Sequence, residues 1–320
     1  MKISIIIPVL NEAESIPTLY AEINAELSQL DLNAELIFID DGSSDATPHI
    51  LQNLAESDES VICIRHLRTL GKSAAYAAGF QIADGEIIVT MDGDLQDDPK
   101  ELPNLLQALE TDADIVIGWK QNRFGNEFGK ALPSRVFNWL LNWTFGIRLH
   151  DSNCGYRAMR SDVARNLTLF GGYYRFIPEM AHAKGFRVKE IPVAHRRRVY
   201  GSSKYGLARF WTSVFDILAL RFSLSFQDRP LQAFGSIAAI FMIAGSTLEA
   251  YVLWQKIQGN AFQTHLAALI TGIFLLIIGV QILAIGLIGV MLAAHRYDSS
   301  TGCLSNNKRR KPPVPDRRQP

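Results

Sequence analysis

The 320-residue chain has little cysteine: Cys63, Cys154 and Cys303 are the whole set. Their scatter offers neither metal-ligand spacing nor a disulfide framework, which leaves reduced thiols in a cytosolic domain. Cys63 falls in "VICIR", a run that reads as a core strand. Glycine loops for phosphate are missing too. No G-x-G-x-x-G follows the first apolar run and no G-x-x-x-x-G-K-[ST] occurs, which excludes the usual dinucleotide and triphosphatase loops. Net charge is absent, because 32 basic and 32 acidic side chains cancel; bulk electrostatic binding of nucleic acid is therefore not expected. A cleavable leader is also lacking. "MKISIIIPVLNEAE" has a short apolar run, ended by Asn11 and Glu12 with no small-residue cleavage site, so it reads as a first buried strand.

What is present in residues 1–118 is an alternation of strand and helix. "ISIIIPV", "AELIFID", "VICIR", "EIIVTMD" and "DIVIG" are short β-branched runs. Between the first two, Ile16, Leu19, Tyr20, Ile23, Leu27 and Leu30 recur at helical spacing. Asp98–Pro99 reads as an N-cap with proline at N1. The fold class is therefore α/β, with a mostly parallel sheet covered on both faces. In such folds ligands sit beyond the carboxyl ends of the strands. Polar clusters fall at those ends: "PVLNE", "DDGSSDAT", "RTLGKSAAYAAG" and "DGDLQDD". One crevice should be lined by Asn11, Glu12, Asp40, Asp41, Lys72, Asp92 and Asp94. A single cluster of this kind is ordinary turn chemistry; four in register at one sheet edge weaken that reading.

In "TMDGDLQDDP" the aspartates Asp92, Asp94, Asp97 and Asp98 crowd together, and such carboxylates repel unless something positive is held among them. Residues i and i+2 of an extended chain point to one side, so Asp92 and Asp94 could share a divalent cation. Mg²⁺ takes one or two carboxylates plus substrate phosphates. An EF-hand starting at Asp92 fails, since its sixth position is Asp97 and its twelfth Pro103.

The C-terminal third is different. Residues 231–254 carry one charge, Glu249, and residues 266–294 carry none. Each run exceeds the roughly 20 residues that cross a bilayer core; two buried helices of a soluble protein are the plainer alternative. Glu249 would snorkel to the head groups or pair within an oligomer. Arg221 and Arg229 precede the first run; Arg296, Lys308, Arg309, Arg310 and Lys311 follow the second; Lys256 alone marks the loop. The positive-inside rule then puts both termini in the cytoplasm. Gly279, Gly286 and Gly289 permit close helix approach, hence an expectation of a homo-oligomer. The tail "NNKRRKPPVPDRRQP" reads as disordered.

"IIIPVLNE", "IDDGSSDAT", "GKSAAYAAGF" and "DGDLQDDP" resemble the signature series of family 2 glycosyltransferases, which have the GT-A fold. "DSNCGYRAMR", "RRRVYGSSKYGLARFW" and the two spans narrow the resemblance to polyprenyl-phosphate glycosyltransferases: dolichol-phosphate mannose synthases and, more closely, bactoprenol glucosyltransferases of the GtrB type. The Q-x-x-R-W motif of processive family members is absent, which favours transfer of one sugar. The resemblance divides the chain into a GT-A domain (1–195), a basic motif with amphipathic helices (196–230), two transmembrane helices (231–294) and a basic tail (295–320).

The resemblance also implies roles. Pro8, Asn11, Glu12, Asp40 and Asp41 would hold the nucleoside, with Lys72 nearby. Asp92, Asp94 and Gln96 would coordinate Mg²⁺ or Mn²⁺, Asp94 being central to catalysis. Arg198, Ser203 and Lys204 of "RVYGSSKY" would reach the donor diphosphate. Lys120, Arg123, Lys130, Ser134 and Arg135 suit an acceptor phosphate arriving from the membrane, against the reading of an ordinary solvated face. Asp151 would orient the acceptor or act as general base; alternatively it caps the next segment or pairs with Arg157. Trp139 and Trp143 suit a membrane interface or core packing. "YGLARFWTSVFDILALRFSLSF" reads as interfacial helices, or else as a buried helix.

The expected activity is inverting transfer of one sugar, glucose from UDP-glucose, to undecaprenyl phosphate at the cytoplasmic face of the inner (plasma) membrane. A flippase is a candidate partner. Two alternatives stand beside it: a GDP-mannose enzyme of the dolichol type, and a non-catalytic sugar-nucleotide-binding scaffold.

Overall fold

The first apolar run forms β1 (Lys2–Val9), in which Ile3, Ile5, Ile6 and Ile7 have no exposed surface. A run apolar at consecutive positions must be covered on both faces, and the chain supplies helices for that. This computed structural model describes residues 2–120, 141–194, 196, 208–226, 230–259 and 261–307. Two units are distinguished, Met1–Arg221 and Phe222–Pro320.

In the first unit β1 is followed by α1 (Ile16–Gln29), β2 (Asn33–Asp40), α2 (Thr47–Ser57), β3 (Val61–Arg65), α3 (Lys72–Ile82) and β4 (Ile87–Thr90). α1 buries Ile16, Leu19, Ile23 and Leu27, the apolar stripe expected of it. A short 3₁₀ turn, Pro99–Glu101, then leads into α4 (Leu102–Asp112); the Asp98 side chain accepts from the Lys100 amide, the cap that Asp-Pro predicts. β5 (Ile115–Lys120), β6 (Arg157–Arg160), α5 (Ser161–Asn166), α6 (Ile177–Ala183) and β7 (Val188–Val193) complete the sheet region.

The seven strands run in the order β3-β2-β1-β4-β6-β5-β7. β1 pairs parallel to β2 and β4, β2 to β3, and β5 to β7. β6 is antiparallel to both its neighbours, β4 and β5. Thr90, the last residue of β4, therefore faces Arg157, the first of β6. That reversal delivers the "DSNCGYR" turn to the same sheet edge as "DGDLQDD". Because β3 is the edge strand, its faces are only half covered, and Cys63 is exposed rather than a core residue.

α7 (Ala208–Phe226) buries Ile217 and Leu220, yet Phe215, Leu218 and Phe222 lie exposed, so its open face is apolar too. Trp143 is 75% exposed, which removes core packing as its role; Trp139 lies outside the described residues.

The second unit is built on α8 (Pro230–Ile257) and α9 (Leu266–Asn307). Both hold spans long and apolar enough to cross a membrane, Leu231–Ile257 and Gln263–Met291. Little of either span is buried, and Ile240, Ile243, Leu253, Phe274 and Ile288 lie open, which is not how core helices of a soluble protein behave. A Cβ added at Gly279 would lie 2.6 Å from Met242 Cγ, and one at Gly286 would lie 2.9 Å from Phe234 Cβ. These glycines let α9 approach α8 of the same chain, so the structure gives them an intrachain use. Gly272 likewise admits the Glu249 carboxylate, which stays inside the helix pair instead of snorkelling. α9 continues to Asn307, past the expected end at residue 294, with no proline to interrupt it. Residues 308–320 lie outside the described residues.

Candidate active site

The loops after β1 and β2 are tied into one body. The Asn11 amide donates to Ser43 Oγ and the Glu12 amide to Thr47 Oγ1, each at 2.9 Å, while Asn11 Oδ1 accepts from the Ser44 amide at 2.8 Å. Asn11 holds a left-handed φ of 57°, which asparagine tolerates. Pro8 lies in β1 beside Ile39. Asp40 accepts from the Ser43 amide at 2.8 Å and lies 3.2 Å from Arg65 Nε. Asp41 accepts from the Leu70 and Gly71 amides at 2.9 and 2.8 Å and meets His66 Nδ1 at 2.8 Å. Both aspartates are buried. They shape the strand-end loops, and Asp41 in particular anchors the loop that opens α3. Lys72, at the start of α3, follows directly.

Beyond β4 the chain does not stay extended: Gly93 and Asp94 form a turn. The alternation argument for placing Asp92 and Asp94 on one side therefore does not apply, and loop contacts set their positions. Asp97 accepts from the Asp92 amide at 3.0 Å, and Asp94 accepts from the Gln96 amide at 3.2 Å. Leu95 between them is held at φ 62°, a costly conformation for a leucine, kept by burial of its side chain.

The positive charge that this aspartate cluster calls for is supplied by the protein. Lys72 Nζ pairs with Asp92 Oδ1, and its ammonium lies 5.6 and 5.5 Å from the Tyr76 and Tyr174 ring centres. Lys120 Nζ meets Asp97 Oδ1 at 2.9 Å, both buried. Burial would raise the Asp92 pKa, but the Lys72 charge, with Lys120 and Arg157 behind it, brings it to about 2. Burial disfavours the Lys72 and Lys120 ammonium ions; Asp92 and Asp97 outweigh it and hold both groups well above the usual lysine range.

The turn Asp151–Tyr156 closes the other side. Thr90 Oγ1 donates to the Gly155 carbonyl at 2.7 Å. A Cβ at Gly155 would lie 2.5 Å from Asp92 Oδ1, so only glycine admits the carboxylate there. Arg157 beneath is wholly buried and donates to the Ser152 carbonyl at 3.4 Å. Past β7, the Arg196 amide donates to the Gln96 carbonyl, while its guanidinium reaches Glu22 at 2.6 Å and Asp98 at 2.7 Å. Arg196 thus ties the chain after β7 to α1 and to the aspartate loop.

Of the residues expected from the sequence, Lys72, Asp92, Asp94, Gln96, Lys120 and Asp151 meet at one sheet edge. Lys120 is the one whose surroundings differ most from expectation: a cation meant for an acceptor phosphate is buried against Asp97. Arg123, Lys130, Ser134, Arg135, Arg198, Ser203 and Lys204 lie outside the described residues. Asp97, Arg157 and Arg196 were given no site role, although each stood in a stretch the sequence singled out: Asp97 in the aspartate run, Arg157 in "DSNCGYRAMR" as a candidate partner of Asp151, and Arg196 at the start of "RRRVYGSSKYGLARFW".

Residues 4–170 match the family model "Glycosyl transferase family 2". The chain belongs to glycosyltransferase family 2. It is 32% identical over 302 residues to the dodecaprenyl-phosphate galacturonate synthase of Rhizobium johnstonii, covering 93% of this chain and 89% of that one. It is also 32% identical over 290 residues to the undecaprenyl-phosphate 4-deoxy-4-formamido-L-arabinose transferase of Proteus mirabilis, covering 90% and 87%. Both of these relatives are, by name, polyprenyl-phosphate sugar transferases. Among solved structures, glucosyl-3-phosphoglycerate synthase of Mycobacterium tuberculosis with Mn²⁺ and UDP-glucose superimposes with a TM-score of 0.52 at 20% identity, over 70% of this chain and 78% of that one. Mannosyl-3-phosphoglycerate synthase of Rubrobacter xylanophilus gives 0.55 at 16%, over 69% and 74%. These likenesses show the GT-A fold of the first unit.

Proposed function

We propose that this glycosyltransferase moves a single sugar from a nucleoside diphosphate donor to a polyprenyl phosphate at the cytoplasmic face of the inner membrane, with inversion. The observation that carries the reading is the meeting of Asp92, Asp94, Lys72 and the Asp151 turn at one sheet edge, in a chain that also holds two helices fit to span a bilayer. UDP-glucose is the donor expected from the sequence; the sugars of the two relatives, galacturonate and 4-deoxy-4-formamido-L-arabinose, extend the set.

The donor set suits Mg²⁺ or Mn²⁺. Asp92 and Asp94 offer two carboxylates on one turn, and a metal between them would take the place that Lys72 holds against Asp92. The Mn²⁺ and UDP-glucose named for the Mycobacterium structure support the same assignment. A bound metal would neutralise charge on the departing diphosphate.

The chain's own groups meet the remaining demands. A phosphate monoester has its second pKa at about 6, so the attacking oxygen is already ionised near neutral pH and needs no strong base. Asp151 accordingly orients the acceptor more than it removes a proton. Two unit charges roughly 4 Å apart repel by about 4 kcal/mol at an effective dielectric of about 20. Lys72 on the donor side, and Arg123, Lys130 and Arg135 on the acceptor side, offset that repulsion, while the Lys120 charge is taken up by Asp97. The acceptor oxygen bonds to the anomeric carbon as the bond to the diphosphate breaks, its electron pair leaving with the nucleoside diphosphate. An α-linked donor then yields a β-linked lipid phosphate.

The test is incubation of the purified protein with undecaprenyl phosphate, Mg²⁺ and labelled UDP-glucose, GDP-mannose or the nucleotide-activated sugars of the two relatives. One donor should give a lipid-linked product, β by NMR. Asp94→Asn should abolish it while leaving the circular-dichroism spectrum unchanged. Undiminished transfer by that variant, or in excess chelator, would refute the metal assignment; an α product would refute single displacement.

A further inference from the structure

Glu190 lies on β7, opposite Ile117 of β5, far along the chain from the residues assigned above. Its side chain is only 10% exposed. The carboxylate is enclosed by donors from one short segment. The His150 amide donates to it at 3.0 Å and the Asp151 amide at 2.8 Å. His150 Nδ1 stands 2.8 Å from its other oxygen and takes the donor role toward a carboxylate. The imidazole is in turn stacked on Trp119, with ring centres 4.2 Å apart and planes 19° from parallel. Trp119 directly precedes Lys120, whose ammonium holds Asp97 and through it the Asp92 amide. Seven residues before Leu149, Asn142 is bonded to both its amide and its carbonyl. The two residues before Asp151 and its own backbone are thus held, with the Asp151 amide donating to Glu190.

A carboxylate bound by two successive amides and an imidazole makes charge-assisted bonds, stronger than neutral ones. It sets the backbone direction from which the Asp151 side chain departs. Asp151 opens the turn whose Gly155 touches Asp92, so a rotation at 150–151 shifts it relative to the donor site. We propose that Glu190 is a positioning residue: it holds Asp151 in the orientation that receives the acceptor phosphate. This rests on the reading of Asp151 as the acceptor-orienting carboxylate.

Misplacement of a reacting partner by about 1 Å costs on the order of 100-fold in rate. Glu190→Gln is isosteric and keeps one acceptor oxygen, but turns an NH₂ toward an amide donor; Glu190→Ala removes all the bonds. The full chain in detergent would be assayed with undecaprenyl phosphate and the donor that supports transfer. Wild type, each Glu190 variant, Asp151→Asn and the double variants form a cycle. Both Glu190 variants should lower kcat by roughly 10- to 100-fold, with the donor KM unchanged. In the Asp151→Asn background the same changes should cost little more, because Glu190 acts through Asp151. If the losses multiply in full, the proposal is overturned while the reading of Asp151 survives. If Asp151→Asn runs at the wild-type rate, Asp151 has no part in transfer and both fall. Glu190→Gln supplies the cycle should Glu190→Ala not fold.

Discussion

Glu179 sits on α6 with no exposed surface. Burial pushes its carboxyl up to about 7, and Ser152 and the Arg157 charge offset that only in part. The sign of its effect follows. The folded pKa exceeds the unfolded one, so the folded state holds the proton more tightly. The associated stability is complete below about pH 4.5 and is lost as pH rises through about 7. A displacement of that size corresponds to roughly 3 kcal/mol. Thermal unfolding of wild type and Glu179→Gln between pH 5 and 8, both in detergent, should therefore diverge. The variant should lose the part of the decline that Glu179 causes; parallel curves would show the carboxyl to be ionised throughout. Asp92 behaves in the opposite way, since its cations hold it charged far below neutrality. Two carboxyls of one buried network thus differ because one has a lysine on it and the other does not.

At the scale of elements, α8 and α9 meet along Gly272, Gly279 and Gly286, one glycine every seven residues. In a lipid surrounding there is little apolar driving force between helices, so backbone approach and packing must hold the pair. Gly279→Leu would place a side chain where Met242 Cγ and the Ala238 carbonyl already lie, 2.6 and 3.2 Å from the added Cβ. Overpacking of this kind costs about 1–3 kcal/mol. The expected outcome is a lower unfolding temperature in detergent and faster proteolysis between residues 257 and 263. An unchanged unfolding temperature would mean that the two helices do not pack there. The aspartate loop shows the same principle with polar groups. Its shape comes from Asp97, Lys120 and Arg196, which belong to three different segments.

For the whole molecule, the proposed reaction needs a cytoplasmic donor and a membrane-held acceptor at one site. By the positive-inside rule, the basic flanks of α8 and α9 would put both outer ends in the cytoplasm and the short connection outside on the proposed reading. With Cys63, Cys154 and Cys303 replaced by serine, Gln258→Cys should react with an impermeant thiol reagent in intact cells. Ser305→Cys should react only after lysis. The reverse pattern would invert the topology and exclude donor access from the cytoplasm.

The sequence alone carries whatever depends on near neighbours. β1 to β5, α1 and the Asp98 cap were legible because burial imposes periods of 2 and 3.6 on the side chains and turns impose their own chemistry. The two apolar spans were legible from length and charge alone. The aspartate cluster was legible because like charges rarely crowd without a reason. Partnership was not legible. Lys72 and Asp92 are 20 residues apart, Glu190 and Asp151 39, Arg196 and Glu22 174. No local pattern favours any of these pairs over others of the same charge. The antiparallel insertion of β6, the burial of Lys120 and the use of Gly279 against α8 belong to the same class. Each follows from where the sheet order and the helix crossing bring remote segments, and in a low-dielectric interior a buried charge must be met by whichever opposite charge the fold places beside it.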